Sequence, residues 1–268
     1  MHPQLDSITS ADGTQIAVER GGDGPPLVLV HGTAADHRVW EPVVDDLREH
    51  FTVVAMDRRG RGASGDAEAY AIEREFEDVA TVVESIDRPV ALLGHSFGAV
   101  SALGASRMVE NLRGLLLYEP PLWRPGRPDP PADLVERLRD HAQTGEHEAI
   151  LEVFFRDLTD SEERLKRYRS SPTWPMRVAA APTVPREVAH LGDFRPEPGD
   201  FADVTVPTLV SYGSETRAGL SRSTERAHEL LPESELRVIE GVGHDVMATA
   251  PERFVEMVVE FVLGRGAE

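Results

Sequence analysis

The chain has no cysteine among its 268 residues. Without thiols it cannot form a disulfide scaffold, a thiolate zinc site or an iron–sulfur cluster, and it cannot use a cysteine nucleophile. It also lacks an uninterrupted apolar run of about 18 residues, which a membrane-spanning helix requires. Residues 1–19 do not show the charged-then-apolar pattern of a signal peptide. These absences predict a soluble, cytoplasmic protein.

Basic side chains are scarce, because 28 lysines and arginines stand against 47 acidic residues, for a formal net charge of −19. Nucleic-acid binding requires a clustered basic surface, so this balance argues against it and equally against an anionic membrane surface. We expect a small-molecule substrate, and the oligomeric state stays open. Lys166 is the single lysine, so nearly all of the basic residues are arginines. This bias indicates either GC-rich codon usage or a high-salt host. In such a host, a dense carboxylate surface holds water and counterions.

Short aliphatic and β-branched runs alternate with longer helical patterns along most of the chain. This alternation predicts an α/β fold with an eight-stranded, mostly parallel sheet and helices on both faces. The predicted strands are Leu5–Thr9, Thr14–Glu19, Pro26–Val30, Thr52–Met56, Val90–Leu93, Leu115–Tyr118, Thr208–Tyr212 and Glu235–Ile239. The predicted core helices are Val39–His50, Ile72–Ile86, Phe97–Val109, Ser221–Leu231 and Pro251–Leu263.

Residues 120–204 interrupt this alternation with amphipathic helical windows and no strand-like run. We interpret them as a helical lid inserted between two strands of a core formed by residues 1–119 and 205–268. The predicted lid helices are Asp133–Gln143, Glu146–Leu158, Ser161–Arg169 and Met176–His190, the last interrupted by prolines. Candidate walls of a substrate pocket are the large lid side chains Trp123, Phe154, Phe155, Trp174 and Met176.

The segment Gly94–Gly98 reads Gly-His-Ser-Phe-Gly and matches the G-x-S-x-G pattern. A predicted strand precedes it and a small-residue helix follows, which is the context of a strained turn that presents a serine at a helix N-terminus. The glycines leave room for the neighbouring backbone. We therefore predict that Ser96 is a nucleophile.

Two further positions complete the pattern of an acyl-transfer site. In His31-Gly32-Thr33, the glycine permits a sharp turn, so that the N–H groups of Thr33 and Phe97 can form an oxyanion hole. We interpret His31 itself as structural. His244 follows the last predicted strand, 148 residues after Ser96, and is our candidate general base.

These motifs together resemble the α/β-hydrolase fold superfamily over essentially the whole chain. The segment Asp57–Ser64 is also similar to the D-x-R-G-x-G-x-S loop of that superfamily, whose role there is mainly architectural. The resemblance implies the fold and a serine hydrolase that needs neither cofactor nor metal. It does not imply a particular substrate.

The triad acid departs from the family pattern. The superfamily usually carries an aspartate in a G-x-x-D turn after the seventh strand, where this chain has Gly213-Ser214-Glu215-Thr216. Glu215, one position away, is one substitute, and a missing acid, in an impaired enzyme or a binding protein, is another. We favour Glu119, because some haloalkane dehalogenases, a branch of the superfamily, place a glutamate after the sixth strand.

The residues around Glu119 support this choice, since a carboxylate is rare at the end of a buried strand unless it is paired. The dehalogenase reaction itself does not carry over, because those enzymes use an aspartate nucleophile. We predict an esterase or lactonase that acts on a small or medium, largely apolar substrate through Ser96, His244 and Glu119. The alternatives are carbon–carbon hydrolysis of a diketone with the same triad and a non-catalytic ligand-binding protein.

Overall fold

The computed structural model describes residues 5–122, 132–159 and 161–264. Its strands, in chain order, are β1 Leu5–Thr9, β2 Gln15–Gly21, β3 Pro26–Val30, β4 Thr52–Met56, β5 Val90–His95, β6 Leu112–Tyr118, β7 Thr208–Gly213 and β8 Ser234–Ile239. They form one sheet in the order β1-β2-β4-β3-β5-β6-β7-β8. The β1–β2 and β2–β4 pairs are antiparallel and the other neighbours are parallel, as the sequence predicts.

The central strands are recognisable in the sequence because both of their faces are buried. Every residue of β3 and β5 is buried, so each strand reads as a continuous aliphatic run rather than as an alternation. Successive residues of β3 nevertheless enter different cores, since Val28 packs on one face of the sheet and Leu27 and Leu29 on the other. The two faces are covered by separate sets of helices.

The helices are α1 Val44–Arg48, α2 Ile72–Glu84, α3 Phe97–Ala105, α4 Ala132–Gln143, α5 His147–Thr159, α6 Glu162–Ser170, α7 Trp174–Ala180, α8 Val184–His190, α9 Ala218–Leu230, α10 Val246–Thr249 and α11 Pro251–Gly264. The prediction of one helix over Val39–His50 is wrong. A 3₁₀ turn at His37–Trp40 is followed by the short α1, with Pro42 between them. Proline has no N–H to donate and clashes with the preceding turn, so a continuous helix cannot pass through it.

Helices α4–α8, which we call the insertion helices, lie between β6 and β7 in the chain and share a hydrophobic core of their own. Leu122, Phe201 and Val204 fall inside the predicted lid of 120–204, but they pack into the core of the sheet. Besides Ala34 and Ala181, the buried residues of this separate core come from α4–α8, and the extent of the lid stays a prediction. None of the described helices is long and apolar enough to span a membrane.

A buried group of charges, which we call the α8 anchor, joins the insertion helices to the loop after β4. The guanidinium of Arg58 donates to Glu75 at 2.9 and 3.0 Å and to Glu187 of α8. Arg61 lies 3.1 Å from Glu75 Oε1 and 2.6 Å from Glu187 Oε1, and all four side chains are inaccessible to solvent. Burial alone would raise the pKa of Glu75, but the charges of Arg58 and Arg61 lower it to about 2. Two of the three arginines in the Asp57–Ser64 loop, Arg58 and Arg61, thus neutralise two buried carboxylates.

Candidate active site

Ser96 lies on a tight turn between β5 and α3, with φ of 55° and ψ of −124°. Neighbouring backbone approaches this turn closely: a Cβ on Gly94 would lie 2.4 Å from the Gly98 carbonyl oxygen, and one on Gly98 would lie 2.2 Å from the Val30 oxygen. Neither position accepts a side chain without rearrangement. The two glycines of the motif therefore have the steric role that the sequence assigns to them.

Backbone strain is concentrated at this edge of the sheet. Within residues 5–122, 132–159 and 161–264, the non-glycine residues with positive φ are Ala34, Ser96 and Glu119, at 53°, 55° and 51°. They follow the carboxyl ends of β3, β5 and β6. A non-glycine residue held in such a conformation typically costs about 1–3 kcal/mol and is characteristic of functional sites. Three unconnected segments carry strain at one place, which marks this edge as the candidate site.

The turn after β3 places Thr33 against the nucleophile. Gly32 and Thr33 line the same small cavity as Ser96, and a Cβ on Gly32 would lie only 2.9 Å from the Ser96 Cβ. The Thr33 N–H has no hydrogen-bond partner in the described part of the chain. Phe97 is the first residue of α3, so its N–H has no acceptor within the helix. Both backbone groups are available to an oxyanion.

His31 is a neutral, structural residue in this geometry. Its Nδ1 donates to the Gly32 carbonyl at 2.8 Å, and its Nε2 accepts from the Arg58 N–H at 3.1 Å. Burial, with the charge of Arg58 next in importance, lowers the pKa of His31 to about 4. The imidazole therefore fixes the turn that presents Thr33, in line with the interpretation from the sequence.

His244 and Glu119 form a close pair, with 2.6 Å between His244 Nδ1 and Glu119 Oε2. Burial lowers the pKa of His244, but the hydrogen bond and the charge of Glu119 outweigh it, and the pKa is raised. Glu119 is fully buried, and its other oxygen accepts hydrogen bonds from the Gly213 N–H at 2.9 Å and from the Thr216 hydroxyl. The carboxylate is held on both oxygens and aimed at the imidazole.

The turn after β7 contacts Glu119 but places no carboxylate within hydrogen-bond distance of His244 in the described structure. Thr216, at the position of the usual family aspartate, donates to the carboxylate that comes from β6. Glu215 is exposed, its carboxylate makes no hydrogen bond with His244, and its backbone oxygen accepts from Arg164 Nη2 at 3.3 Å. Of the two candidate acids, the structure places Glu119 beside His244 and Glu215 on the surface.

Three side chains that the sequence analysis did not select hold the loop that carries His244. His95 Nε2 donates to the His244 carbonyl at 2.9 Å, and the Tyr118 hydroxyl donates to the Gly243 carbonyl at 2.8 Å. The Tyr168 hydroxyl of α6 donates to the carboxylate of Asp245. His95 stays neutral, because burial and then the charge of His244 hold its pKa well below the usual range. His95 and Tyr118 could have been selected from the sequence, because they directly precede Ser96 and Glu119.

Two cavities meet at His244. The first, which we call the chamber, has a volume of about 30 Å³ and is lined by Ser96, Thr33 and His244 among others. The second, which we call the outer cleft, has a volume of about 630 Å³ and lies between α6, α7 and the loops at 39–42 and 241–249. Side chains that line both are Val39, Tyr168, Arg177, His244 and Asp245. The reactive groups thus adjoin a cleft large enough for a small substrate.

The predicted pocket walls divide into three groups. Phe154 and Phe155 line the chamber, together with Leu158 and Met247, which the sequence analysis missed. Trp174 packs in the core of the insertion helices, and Met176 packs in the core of the sheet, so neither lines the chamber. Trp123 lies outside the described residues.

Arg177 occupies the wall where the sequence analysis placed Trp174 and Met176. Short helix α7 presents this residue, rather than its large apolar neighbours, to the chamber. The signal was available, since Arg177 is the sole charged residue between positions 174 and 182.

The described residues include one group of possible metal ligands, Asp36, His37 and Asp57, whose candidate atoms lie within 4.8 Å of one another. Each already has a partner in the protein. Asp36 pairs with Arg38, and Asp57 Oδ1 accepts from the backbone N–H of His37 at 2.8 Å and lies 2.7 Å from its Nδ1. These contacts fix the loop after β4, and we assign the group no role in the chemistry.

Comparison with known proteins places this site in a family. Residues 27–257 match the model of the alpha/beta hydrolase family. A solved alpha/beta hydrolase from Sphaerobacter thermophilus is 33% identical, with a TM-score of 0.84 over 96% of this chain and 99% of that chain. The chain therefore belongs to the alpha/beta hydrolase family and is an enzyme of the hydrolase class.

Two other proteins show the range of activities among its relatives. An esterase from Rhodococcus sp. is 26% identical, with a TM-score of 0.76 over 96% of this chain and 98% of that one. The 2-hydroxy-6-oxo-6-(2'-aminophenyl)hexa-2,4-dienoic acid hydrolase of Metapseudomonas resinovorans is 24% identical over 97% of this chain and 92% of its own length. The fold and the class of enzyme are thus shared, while the substrates differ.

Proposed function

We propose that the enzyme hydrolyses a small or medium, largely apolar carboxylic ester or lactone through Ser96, His244 and Glu119. The observation that carries the proposal is the 2.6 Å contact between Glu119 and His244, in a chamber that His244 shares with a serine on a strained turn. A pure binding protein gains nothing from that strain. The likeness to a solved esterase supports the same reaction.

The mechanism is a two-step acyl transfer. His244 takes the Ser96 proton as the serine oxygen attacks the carbonyl carbon, and Glu119 stabilises the imidazolium that forms. The N–H groups of Thr33 and Phe97 stabilise the oxyanion, and each such donor typically lowers the barrier by about 3 kcal/mol. The ester carbon–oxygen bond then breaks, and the alcohol leaves with the proton from His244. Water, deprotonated by His244, releases the acid from Ser96.

The insertion helices act in this proposal as the lid over the site, with residues 120–204 as the inserted segment. Phe154, Phe155 and Tyr168 come from these helices and close the chamber to about 30 Å³, which holds little more than a water molecule. A bound acyl group must therefore displace these side chains or extend into the outer cleft. Substrate choice would follow from their packing.

Hydrolysis of a carbon–carbon bond in a diketone is the second candidate. The relative from Metapseudomonas resinovorans supports it, because the substrate in its name is a keto acid without an ester group. The same serine, histidine and acid would serve both reactions. Turnover of diketones without turnover of any ester would select this candidate.

The test is hydrolysis of p-nitrophenyl esters with acyl chains from C2 to C12. We expect turnover by the parent protein, loss to background in Ser96→Ala, and an optimum chain length that reports the size of the pocket. Two matched variants locate the acid: Glu119→Gln should lose about 10⁴-fold in kcat, because the imidazole loses its orienting charge, while Glu215→Gln should stay near the parent. The reverse result would move the acid to the turn after β7. Equal background rates for the parent and Ser96→Ala would reject the ester reaction.

A further inference from the structure

Arg177 is a buried cation at the junction of the chamber and the outer cleft. It is 8% exposed and lines both cavities, as His244 does. The mechanism above does not use it. A guanidinium beside the reacting groups therefore needs an explanation of its own.

The protein satisfies only part of this guanidinium. Its Nη1 donates to the Ala34 carbonyl at 3.3 Å, and its buried Nε has no hydrogen-bond partner among the residues that the structure describes. Arg177 forms no salt bridge with a carboxylate in the described ranges, and Asp245, which also lines the chamber, accepts from Tyr168 instead. Burying a charge without a counter-ion is costly, so an anion that entered from the cavity would be stabilised by this guanidinium.

The surroundings make such an interaction strong. The Arg177 guanidinium carbon lies 5.5 Å from the centre of the Phe155 ring and 5.3 Å from that of Tyr168. The rings hold the cation in place and exclude water, and charge-assisted hydrogen bonds strengthen where the local dielectric is low. A guanidinium presents its N–H groups as a planar fork that matches the two oxygens of a carboxylate.

We propose that Arg177 binds a free carboxylate of the substrate, so that the enzyme prefers half-esters of dicarboxylic acids over uncharged esters. The inference rests on the proposed ester hydrolysis and narrows its substrate class. The carboxylate occupies the junction, while the ester carbonyl lies in the chamber between Ser96 and the N–H groups of Thr33 and Phe97. Only the linker between the two groups need be apolar.

If Arg177 had a purely structural role, its removal would not distinguish charged from uncharged esters. Its bond to the Ala34 carbonyl supports the strained turn after β3, and losing that support alone would slow charged and uncharged esters by the same factor. The ratio of the two rates therefore separates substrate binding from support of the turn.

The kinetic experiment compares monoethyl glutarate with ethyl 4-carbamoylbutanoate, in which an uncharged amide of similar shape replaces the carboxylate. We expect kcat/KM to be about 10- to 100-fold higher for the half-ester, the range of one charge-assisted hydrogen-bonded pair. Arg177→Gln should bring the ratio near one, and Arg177→Lys should retain part of it. Arg169→Gln, which removes an exposed arginine paired with Glu152, is the matched control and should keep the parent ratio. A parent ratio near one, or an unchanged ratio in Arg177→Gln, would overturn the proposal.

A binding measurement separates this proposal from the ester reaction itself. Calorimetric titration of Ser96→Ala with the same two compounds needs no turnover. If Ser96→Ala binds the half-ester preferentially and the double variant with Arg177→Gln does not, the anion site is supported. This holds even if the parent hydrolyses no ester and the proposed function fails. Equal binding of the two compounds rejects the anion site, even if esters are hydrolysed.

Discussion

The fold treats two groups of buried arginines differently: Arg58 and Arg61, which contact α8, and Arg177, which belongs to α7. At the α8 anchor, Arg58 and Arg61 face Glu75 and Glu187, and the charges neutralise one another without solvent. Beside the chamber, Arg177 donates to the Ala34 carbonyl and pairs with no carboxylate in the described part of the chain. Burial of an arginine therefore does not define its role. The anchor charges hold the insertion helices to the sheet, whereas the chamber charge stays available to a ligand.

The largest effect is expected when one carboxylate is removed from the anchor. Glu187→Gln should lower the free energy of unfolding by about 3–5 kcal/mol, because it leaves buried arginine charge without its partner. Arg177→Gln, measured beside it, should lower stability by less than about 1 kcal/mol, since no ion pair is lost. Urea unfolding monitored by circular dichroism gives both values. Equal destabilisation by the two variants would remove the distinction between anchor and site.

The pH dependence of the reaction is expected to follow the contact between His244 and Glu119. Glu119 raises the pKa of His244, and catalysis needs the imidazole neutral, so kcat/KM should fall about tenfold per pH unit below that pKa. In Glu119→Gln the pKa of His244, followed by NMR, should move down. The free energy of unfolding changes with pH in the opposite direction. The ion pair between His244 and Glu119 stabilises the fold below about pH 6.5, the pKa of a histidine in the unfolded chain. This stabilisation is lost as the pH rises through the raised pKa of His244 in the folded state. An NMR pKa that does not respond to Glu119→Gln would contradict the assignment.

A smaller effect is expected at Thr216, whose hydroxyl donates to the buried carboxylate of Glu119. Thr216→Val keeps the shape but removes the hydroxyl that donates to Glu119. We expect kcat to fall about tenfold, the weight of one hydrogen bond to a charged group, with KM unchanged. Thr216→Ser retains the hydroxyl and should restore most of the rate. If Val and Ser variants behave alike, Thr216 acts by packing and does not position Glu119.

The sequence predicts the sheet well because each central strand is buried on both faces and must be aliphatic throughout. It also selects Ser96 and His244, whose roles require recognisable turns. Glu119 can also be selected from the sequence. Because Thr216 replaces the usual family aspartate, the acid must be sought at the ends of other strands. The prediction of one helix over Val39–His50 was wrong, because it followed the apolar periodicity and ignored Pro42.

The chamber walls were less predictable for a physical reason. A short helix such as α7 carries Trp174, Met176 and Arg177 on different sides, and the side that meets the chamber depends on how α7 packs on its neighbours. The local sequence pattern does not specify how α7 is rotated about its axis. The large apolar residues were therefore assigned to the pocket, while the charged residue between them lines it.

The loop that carries His244 has a consequence for how the enzyme comes into being. Its hydrogen bonds reach His95, Tyr118, Glu119 and Tyr168, which lie 149, 125, 125 and 77 positions away from their partners in the chain. Contacts of such sequence separation close late in folding, because large loops must be ordered first. A nascent chain emerging from the ribosome holds Ser96 and Glu119 long before His244 is synthesised. The contact between His244 and Glu119 is therefore a marker of completed folding, and hydrolytic activity should be the last property that a refolding chain regains.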